Sequence, residues 1–270
     1  MIEVQGLHFK YAKAEPWILH DLNFKIRPGE LVGLAGQNGS GKSTLAELLA
    51  GLLFPSSGRV MVDDLDSREH PPHMTGTVGL VFQNPEHQFF HTKVVEDVAF
   101  GPMNLGLGQT EVEARVDQVM REVGISELAQ HSPHQLSGGQ KQLVALAGIL
   151  AMEPRYLILD EPTAMLDPSS RRRIRNLLVQ LHKSRGCAVL WITQDMEELL
   201  VVQRAMMLYR GTLIADGNPQ ELLRDLSLLE QAGLEPPLSL QLELLLRQEG
   251  MGQAARLVQS KAMELLFSKP

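Results

Sequence analysis

A glycine-rich loop between an apolar run and a helical segment constrains the fold of this chain more than any other feature. Residues 31–35 are continuously apolar and have the length of a buried strand, and residues 36–43 follow with the pattern G-x-x-x-x-G-K-S. Leucines at positions 45, 48, 49 and 52 then recur at helical spacing. This order of strand, loop and helix predicts a phosphate-binding loop beside a parallel sheet.

The residue types within the loop suit a bound polyphosphate. Glycines let the backbone curl so that successive N–H groups point at phosphate oxygens, and the following helix directs its positive end at the same anion. Lys42 adds a positive charge, and the Ser43 hydroxyl suits Mg²⁺. The predicted ligand-binding residues are Gly36, Gln37, Asn38, Gly39, Ser40, Gly41, Lys42, Ser43 and Thr44. A glycine-rich turn without a ligand is the alternative, and the flanking strand and helix argue against it.

Two carboxylates follow a second apolar run. Residues 157–162 read Leu-Ile-Leu-Asp-Glu-Pro, which places Asp160 and Glu161 at the end of a predicted strand. Asp160 is suited to hold Mg²⁺, and Glu161 to orient and polarise an attacking water. Paired acids at a strand end also occur as helix caps or surface charges. The phosphate loop favours the metal-and-base interpretation.

Strand and helix patterns alternate through about residue 220. Predicted strands cover residues 22–26, 31–35, 58–62, 78–82, 156–159 and 188–192, and predicted helices include 111–123 and 169–185. This alternation predicts an α/β domain over residues 1–220 with a mainly parallel sheet. Leucine-rich helical segments at 220–231, 239–248 and 253–267 then predict a helical extension over residues 221–270.

Composition excludes several classes of protein. With 25 basic against 32 acidic residues, the net charge is −7, which argues against a nucleic-acid binder. The single cysteine, Cys187, cannot form an internal disulfide and is predicted to pack in the core. No apolar run approaches the roughly 18 residues of a membrane span, and no leader pattern is present, so the cytosol is the expected compartment.

A third motif separates this chain from other phosphate-loop proteins. Residues 136–140 read Leu-Ser-Gly-Gly-Gln and precede a helix. Here the chain resembles the nucleotide-binding subunits of ABC transporters, with the motifs in order over residues 1 to about 220. The resemblance implies ATP hydrolysis and a helical subdomain at about residues 84–155. It also implies that Ser137, Gly138, Gly139 and Gln140 close on the nucleotide of a second subunit, where a helix N-terminus forms a second anion cradle.

The same resemblance assigns further residues. Tyr11 would stack on adenine, although an aromatic side chain in an early strand is more often a packing residue. Gln83 would lie near Mg²⁺ and couple this site to the membrane partner. Residues 164–167 would lie along the interface between the two subunits, which we call the seam.

One position departs from the family pattern. Where the family usually has histidine after the last strand, this chain has Gln194, between Thr193 and Asp195. A glutamine amide can donate to a γ-phosphate oxygen but cannot carry a proton or a positive charge. Loss of one charge-assisted hydrogen bond predicts hydrolysis slowed by roughly 10- to 150-fold. We expect Glu161, Gln194 and Lys42 to form the catalytic set, with Ser43, Gln83 and Asp160 at the metal.

Two further stretches resemble the energy-coupling-factor ATPases of the cobalt, nickel and vitamin uptake group. These are residues 81–90, VFQNPEHQFF, and residues 94–102, VVEDVAFGP, and the tail resembles the extension that joins their two ATPase subunits. The resemblance implies ATP and Mg²⁺, a second ATPase subunit, an integral-membrane coupling subunit, a substrate-binding membrane subunit and a location on the cytoplasmic face of the membrane. A groove near residues 83–100, with Phe89 and Phe90, would accept helices of the coupling subunit.

The sequence also has other interpretations. A regulatory nucleotide clamp, in which Gln194 leaves binding without turnover, is the main alternative. A chromosome-organising ATPase would need a long heptad-repeat arm between loop and signature, and the chain has none. His87 and His91, four residues apart, lack a third ligand at regular spacing for a metal site. Residues 171–173, all arginine, are expected on a solvated helix face.

Overall fold

The computed structural model describes residues 1–12 and 15–267 and is built on a six-stranded sheet in the order β10-β9-β3-β8-β7-β6. Neighbouring strands from β9 to β6 pair in parallel, and β10 pairs antiparallel with β9. The sheet consists of β3 (Leu31–Ala35), β6 (Val78–Val81), β7 (Tyr156–Asp160), β8 (Ala188–Thr193), β9 (Arg204–Tyr209) and β10 (Thr212–Gly217). Strands β3, β6, β7 and β8 are buried along their whole length, as the apolar runs predict.

A second, antiparallel sheet carries two of the strands that were predicted for the parallel one. It has the order β2-β1-β4-β5 and consists of β1 (Ile2–Phe9), β2 (Leu19–Ile26), β4 (Ser57–Val62) and β5 (Leu65–Asp66). The single-sheet prediction was wrong for residues 22–26 and 58–62. Apolar and polar residues alternate in β2, which is typical of an antiparallel strand with one exposed face.

Helix α1 (Lys42–Leu49) shares one apolar core with both sheets. Leu45, Leu48 and Leu49 are buried there with residues of β1, β2, β3 and β4. Leu52 lies past the end of the helix and is exposed, although its spacing had placed it within the helix. The start of α1, where the phosphate loop ends, is therefore fixed between the two sheets.

The helices that follow β6 belong to a second core on the other side of the central sheet. The elements in this region are α3 (Val94–Asn104), α4 (Gln109–Val123) and α5 (Gly138–Leu150), preceded by the single turn α2 (Pro71–Met74). Their buried residues cluster with those of α6 (Pro168–Arg185) around Trp191 of β8. The sheet is thus covered on both faces, and the N-terminus of α5 is left at the surface.

The leucine-rich tail forms four helices, which are α7 (Pro219–Leu222), α8 (Leu226–Ala232), α9 (Leu238–Gln248) and α10 (Gly252–Phe267). The prediction of one helix over residues 220–231 was wrong. Asp225 interrupts it, because its carboxylate accepts a hydrogen bond from the backbone N–H of Leu228 at 3.0 Å and caps α8. Leu229 and Leu240 are part of the second core, the one that contains Trp191, so the first half of the tail packs on the domain.

None of the helices in the described part of the chain has the length and apolarity that a membrane span needs.

Candidate functional site

The phosphate loop is a curled segment at the carboxyl end of β3. Gly39 and Gly41 have φ values of +77° and +103°, which side-chain-bearing residues rarely adopt. A Cβ atom on Gly36 would lie 2.2 Å from the carbonyl oxygen of Leu208, so only glycine fits there. The Ser40 hydroxyl is buried and has no hydrogen-bond partner among the described residues. The loop therefore has the curvature and the free donor that a phosphate group requires.

Lys42 is buried at the start of α1 with its ammonium group directed into the loop. Its Nζ donates to the carbonyl oxygens of Gly36 at 2.8 Å and Gln37 at 3.0 Å. Burial lowers the pKa of Lys42, while the charges of Glu161 and Asp160 act in the opposite direction. The ammonium group is held in place within the loop before any phosphate binds.

Asp160, at the end of β7, has the features of a metal ligand. Its Oδ1 atom is buried without a hydrogen-bond partner in the part of the chain that the structure describes. Burial raises the pKa of Asp160, and the nearby Ser43 hydroxyl opposes this rise. A hard cation such as Mg²⁺ takes one or two carboxylates plus hydroxyl, water and phosphate oxygens. The Ser43 and Asp160 pair fits that donor set.

Glu161 lies at the centre of the expected catalytic set. Its Oε1 atom is 3.7 Å from Lys42 Nζ, and its Oε2 atom accepts a hydrogen bond from Gln83 Nε2 at 2.9 Å. Gln194 Nε2 donates to Glu161 Oε1 and also to Asn38 Oδ1, the latter at 2.8 Å. The structure thus brings together side chains that follow β3, β6, β7 and β8. We call Gln83, Glu161 and Gln194, together with residues 36–44, the phosphate-loop half-site.

Residues 137–140, which we call the signature half-site, make no hydrogen bond or ion pair with this cluster among the described residues, although Gly138 lines the same small cavity as Gln83. Ser137 caps α5 in a reciprocal capping box, in which Gln140 N donates to Ser137 Oγ at 3.4 Å and Ser137 N donates to Gln140 Oε1 at 2.9 Å. Ser137 and Gly138 are exposed. Among the described residues, no hydrogen bond or ion pair joins residues 137–140 to residues 36–44.

Tyr11 lies just beyond the end of β1 and is not buried in the strand. Its side chain is 58% exposed, its hydroxyl is 3.0 Å from Thr44 Oγ1, and its ring meets the ring of Phe9 edge-on. The other ring surface is open beside the phosphate loop, where an adenine base could stack.

The tail contacts the phosphate-loop half-site, which the sequence did not indicate. Gln37 Nε2 donates to the carbonyl oxygen of Gly233 at 3.1 Å, so the side chain of this loop residue is directed at the tail. Ser239 Oγ donates to Glu197 Oε1 at 3.1 Å, close to Gln194. Both contacts join segments that are far apart in sequence, and no local motif signals them.

Glu198 is the other residue that sequence reasoning missed. Its carboxylate is completely buried and accepts hydrogen bonds from Thr163 Oγ1 at 2.6 Å and Thr193 Oγ1 at 2.5 Å. Burial raises the pKa of Glu198, while the two hydroxyl donors oppose that rise.

The histidines at positions 87 and 91 and the arginine at position 171 have ordinary contacts. His91 Nδ1 is 3.2 Å from Asp97 Oδ1, and His87 lies in a separate 3₁₀ turn, Pro85–Gln88, so the two histidines do not share a helix. Arg171 is only partly exposed and pairs with Asp195 at 3.2 Å. Among the described residues, no group of three or more His, Cys, Asp or Glu side chains could hold a metal ion.

Comparison with known proteins matches this arrangement to one family. The family profile described as "ABC transporter" matches residues 19–164, which is more than half of the chain. This chain belongs to the ABC transporter family. Membership confirms the phosphate-loop fold of ABC ATPase type and the expected enzyme class, an ATP hydrolase of the transporter kind.

Similar sequences narrow the group. The chain is 43% identical over 256 residues to the energy-coupling factor transporter ATP-binding protein EcfA1 of Caldanaerobacter subterraneus subsp. tengcongensis, with 93% of this chain and 92% of that protein covered. It is also 43% identical over 258 residues to the cobalt import ATP-binding protein CbiO of Syntrophus aciditrophicus, with 95% and 91% covered. These ABC transporter relatives confirm the resemblance to energy-coupling-factor ATPases.

Similar structures agree with that grouping. The structure of cbiO1 from Clostridium perfringens, described as part of the complex cbiONQ, has a TM-score of 0.76 and 37% identity, covering 86% of this chain and 94% of that one. A dimeric structure of the ABC transporter cassette MJ0796 has a TM-score of 0.74 and 27% identity, covering 81% and 99%. The comparisons support a transporter ATPase, and they give no support to the regulatory clamp.

Proposed function

We propose that this chain is the ATP-hydrolysing subunit of an energy-coupling-factor importer and that it hydrolyses MgATP between itself and a second ATPase subunit. One observation carries the proposal: Glu161 is joined to Lys42, Gln83 and Gln194 in one cluster, whereas no hydrogen bond or ion pair among the described residues joins that cluster to the signature half-site, whose Ser137 and Gly138 are exposed. One chain therefore supplies the residues for hydrolysis and one side of the nucleotide's surroundings, and a second chain supplies the other side.

The chemistry follows from the positions of the side chains. The loop backbone and Lys42 bind the phosphates, and Tyr11 stacks on the adenine. Ser43, Asp160 and Gln83 would hold Mg²⁺, which would neutralise the charge that develops on the phosphate oxygens. Glu161 orients the attacking water and accepts its proton.

Gln194 has two roles in this scheme. One N–H of its amide donates to Glu161, and the other, which donates to Asn38 Oδ1, would turn to a γ-phosphate oxygen when ATP binds. Because the amide carries no charge, it stabilises the transition state less than a protonated histidine would. Hydrolysis is slow but not abolished, since Glu161 is retained.

The second subunit binds through two surfaces. The exposed N-terminus of α5 presents Ser137, Gly138 and Gly139 to the second nucleotide, and Met165, which is 69% exposed, marks the seam at residues 164–167. The tail adds the exposed leucines Leu238, Leu242, Leu245 and Leu257. Exposed leucines on an otherwise packed extension are best explained by a partner surface. MJ0796, a relative in structure, is described as dimeric.

A groove beside α3 is proposed to bind the membrane subunit. This groove, a cavity of about 730 Å³, is lined by the aromatic rings of Phe82, Phe89, Phe90 and Phe100 and by Asp97. Phe90 is 69% exposed, and the buried Asp97 Oδ2 has no hydrogen-bond partner among the described residues. An amphipathic cytoplasmic helix with one hydrogen-bond donor fits this groove. Binding there places the chain on the cytoplasmic face of the membrane.

The substrate is selected elsewhere in the complex. We assign recognition of a vitamin or a transition-metal ion to the substrate-binding membrane subunit, and one relative of this chain is described as a cobalt import ATP-binding protein. No nucleic acid takes part in this function.

The proposal is tested by exchanging Phe89 and Phe90 for serine. Loss of both rings removes the apolar contact, so transport in membrane vesicles stops while MgATP binding by the purified chain is unchanged. Phe54→Ser is the matched control, because Phe54 is exposed but lies outside the groove. Intact transport in the double variant, or failure of the unaltered chain to co-purify with integral-membrane proteins, contradicts the proposal.

A further inference from the structure

A buried acid connects the two segments that carry the hydrolytic residues. Glu198 begins the 3₁₀ turn Glu198–Val201 after β8, and its side chain is completely inaccessible to solvent. Oε1 accepts a hydrogen bond from Thr163 and Oε2 accepts one from Thr193, and both threonines are 3% exposed. Burial of a carboxyl group is unfavourable unless such donors satisfy it. The two hydrogen bonds therefore hold the Glu198 carboxylate firmly in place.

The two threonines belong to the segments of Glu161 and Gln194. Thr163 lies two residues after Glu161, within a turn closed by a hydrogen bond from Ala164 N to Glu161 O at 3.2 Å. Thr193 directly precedes Gln194, and its Oγ1 also accepts from Asp195 N at 2.9 Å. One carboxylate thus joins the end of β7 to the end of β8 at the position where the two side chains meet.

The backbone of Glu161 needs this kind of support. Its φ value is +47°, a left-handed conformation that residues other than glycine seldom adopt. Such conformations persist where the surrounding structure over-determines them. The backbone N–H of Glu161 donates to Ile192 O at 3.0 Å, and the Glu198–Thr163 hydrogen bond restrains the residues that follow.

We propose that Glu198 is a positioning residue for ATP hydrolysis, acting through Thr163 and Thr193 to hold Glu161 and Gln194 in register. Its carboxylate is inaccessible to solvent, so it acts through the two threonines. It fixes the separation of the two strand ends, and with it the hydrogen bond from the Gln194 amide to Glu161 Oε1. The inference rests on the proposed role of Glu161 as the general base.

The test compares Thr163→Val with Thr163→Ser. Valine has almost the same shape but no hydroxyl, so the Glu198 carboxylate loses a donor; serine retains it. We expect Thr163→Val to lower kcat of the assembled complex about tenfold, because a hydrogen bond to a charged group is lost. The Kd for a non-hydrolysable ATP analogue stays within about twofold, since the phosphate-binding residues are untouched. Thr163→Ser is expected to stay within about threefold of the unaltered rate.

Two further variants separate positioning from stability. Glu198→Gln is expected to lower kcat in the same way, since the NH2 group that replaces one carboxylate oxygen cannot accept the hydrogen of the threonine hydroxyl on its side. Glu122→Gln breaks the half-buried pair with Arg185, away from the half-sites, and is expected to reduce thermal stability without changing kcat. If Glu198→Gln does not fold, the Thr163 pair decides the question.

Several results would overturn the inference. An unchanged kcat in Thr163→Val does so, and so does an equal loss in Thr163→Val and Thr163→Ser, or a loss confined to ATP affinity. Glu161→Gln separates this failure from that of the proposed function. If Glu161→Gln stops turnover while Thr163→Val does not, only the positioning role is wrong. If Glu161→Gln turns over normally, the general base has been assigned wrongly.

Discussion

The two half-sites of this chain differ in how completely one chain builds them. The phosphate-loop half-site contains two buried charged side chains, Lys42 and Glu161, and its side chains contact one another, with Lys42 held by loop carbonyl groups and Glu161 bonded to Gln83. The signature half-site is an exposed helix N-terminus whose side-chain contacts are internal to its own capping box. Free N–H groups at a helix end are hydrated in isolation and bind an anion when one is presented. The difference supports the proposal that each chain is one half of a composite ATPase.

Glu161→Gln gives the largest expected effect and acts on the phosphate-loop half-site. Removal of the general base lowers turnover about 1,000-fold, because positioned general bases contribute roughly 10²–10⁴. ATP binding is retained, since the loop and Lys42 are unchanged. Single-turnover hydrolysis by the assembled complex measures the effect, with Glu122→Gln as the control. A variant that keeps a tenth of the unaltered rate is incompatible with Glu161 as the base.

Ser137→Ala acts on the signature half-site and is expected to lower turnover by about 100-fold, the order of effect seen when a preorganised donor to a developing charge is removed. ATP affinity of the isolated chain does not change, because Ser137 does not contact its own phosphate loop. Ser137→Thr keeps both the hydroxyl and the helix cap and serves as the control. Weaker ATP binding by the isolated Ser137→Ala chain would mean that one chain builds the whole site.

Gln194→His tests the phosphate-loop half-site by introducing a side chain that can carry a positive charge. Turnover of the assembled complex is expected to rise by roughly 10- to 150-fold, the value of one charge-assisted hydrogen bond. Gln194→Asn, which remains neutral and is shorter, is the matched control and is expected to fall below the unaltered rate. An unchanged or lower rate in Gln194→His shows that the neutral amide does not limit hydrolysis.

Tyr11→Ala is the smallest of these effects. Loss of the stacking ring weakens ATP binding about fivefold, since base stacking on an aromatic ring contributes on the order of 1 kcal/mol or more. Tyr11→Phe retains the ring and loses only the contact with Thr44. Equilibrium binding of ATP and of tripolyphosphate checks the assignment, because only ATP binding should weaken. An equal loss for both ligands means that Tyr11 supports the loop and does not bind the base.

Local sequence patterns predicted the loop, strand and helix that carry the two half-sites, whereas they did not predict contacts between distant segments. The phosphate loop, the strand ending at Asp160 and the signature helix are each specified by consecutive residues, so spacing was enough to place them. The antiparallel sheet was missed because strand partners are chosen by non-local pairing, although the alternation in β2 was visible.

Side-chain contacts between distant segments could not be predicted from the sequence either. Glu198 stands next to Glu197 in the sequence, and nothing there shows that only Glu198 is fully buried or that it meets Thr163. The bond from Gln37 to Gly233 spans 196 positions. The break at Asp225, by contrast, was readable in principle, since aspartate before a helical run is a common N-cap.

A structure of the assembled complex with a non-hydrolysable ATP analogue tests the central claim most directly. The account predicts that the Ser137 hydroxyl and the N–H groups that follow it lie within hydrogen-bond distance of the γ-phosphate held by the other ATPase subunit. A nucleotide enclosed by a single chain, with Ser137 facing solvent in every copy, would contradict it.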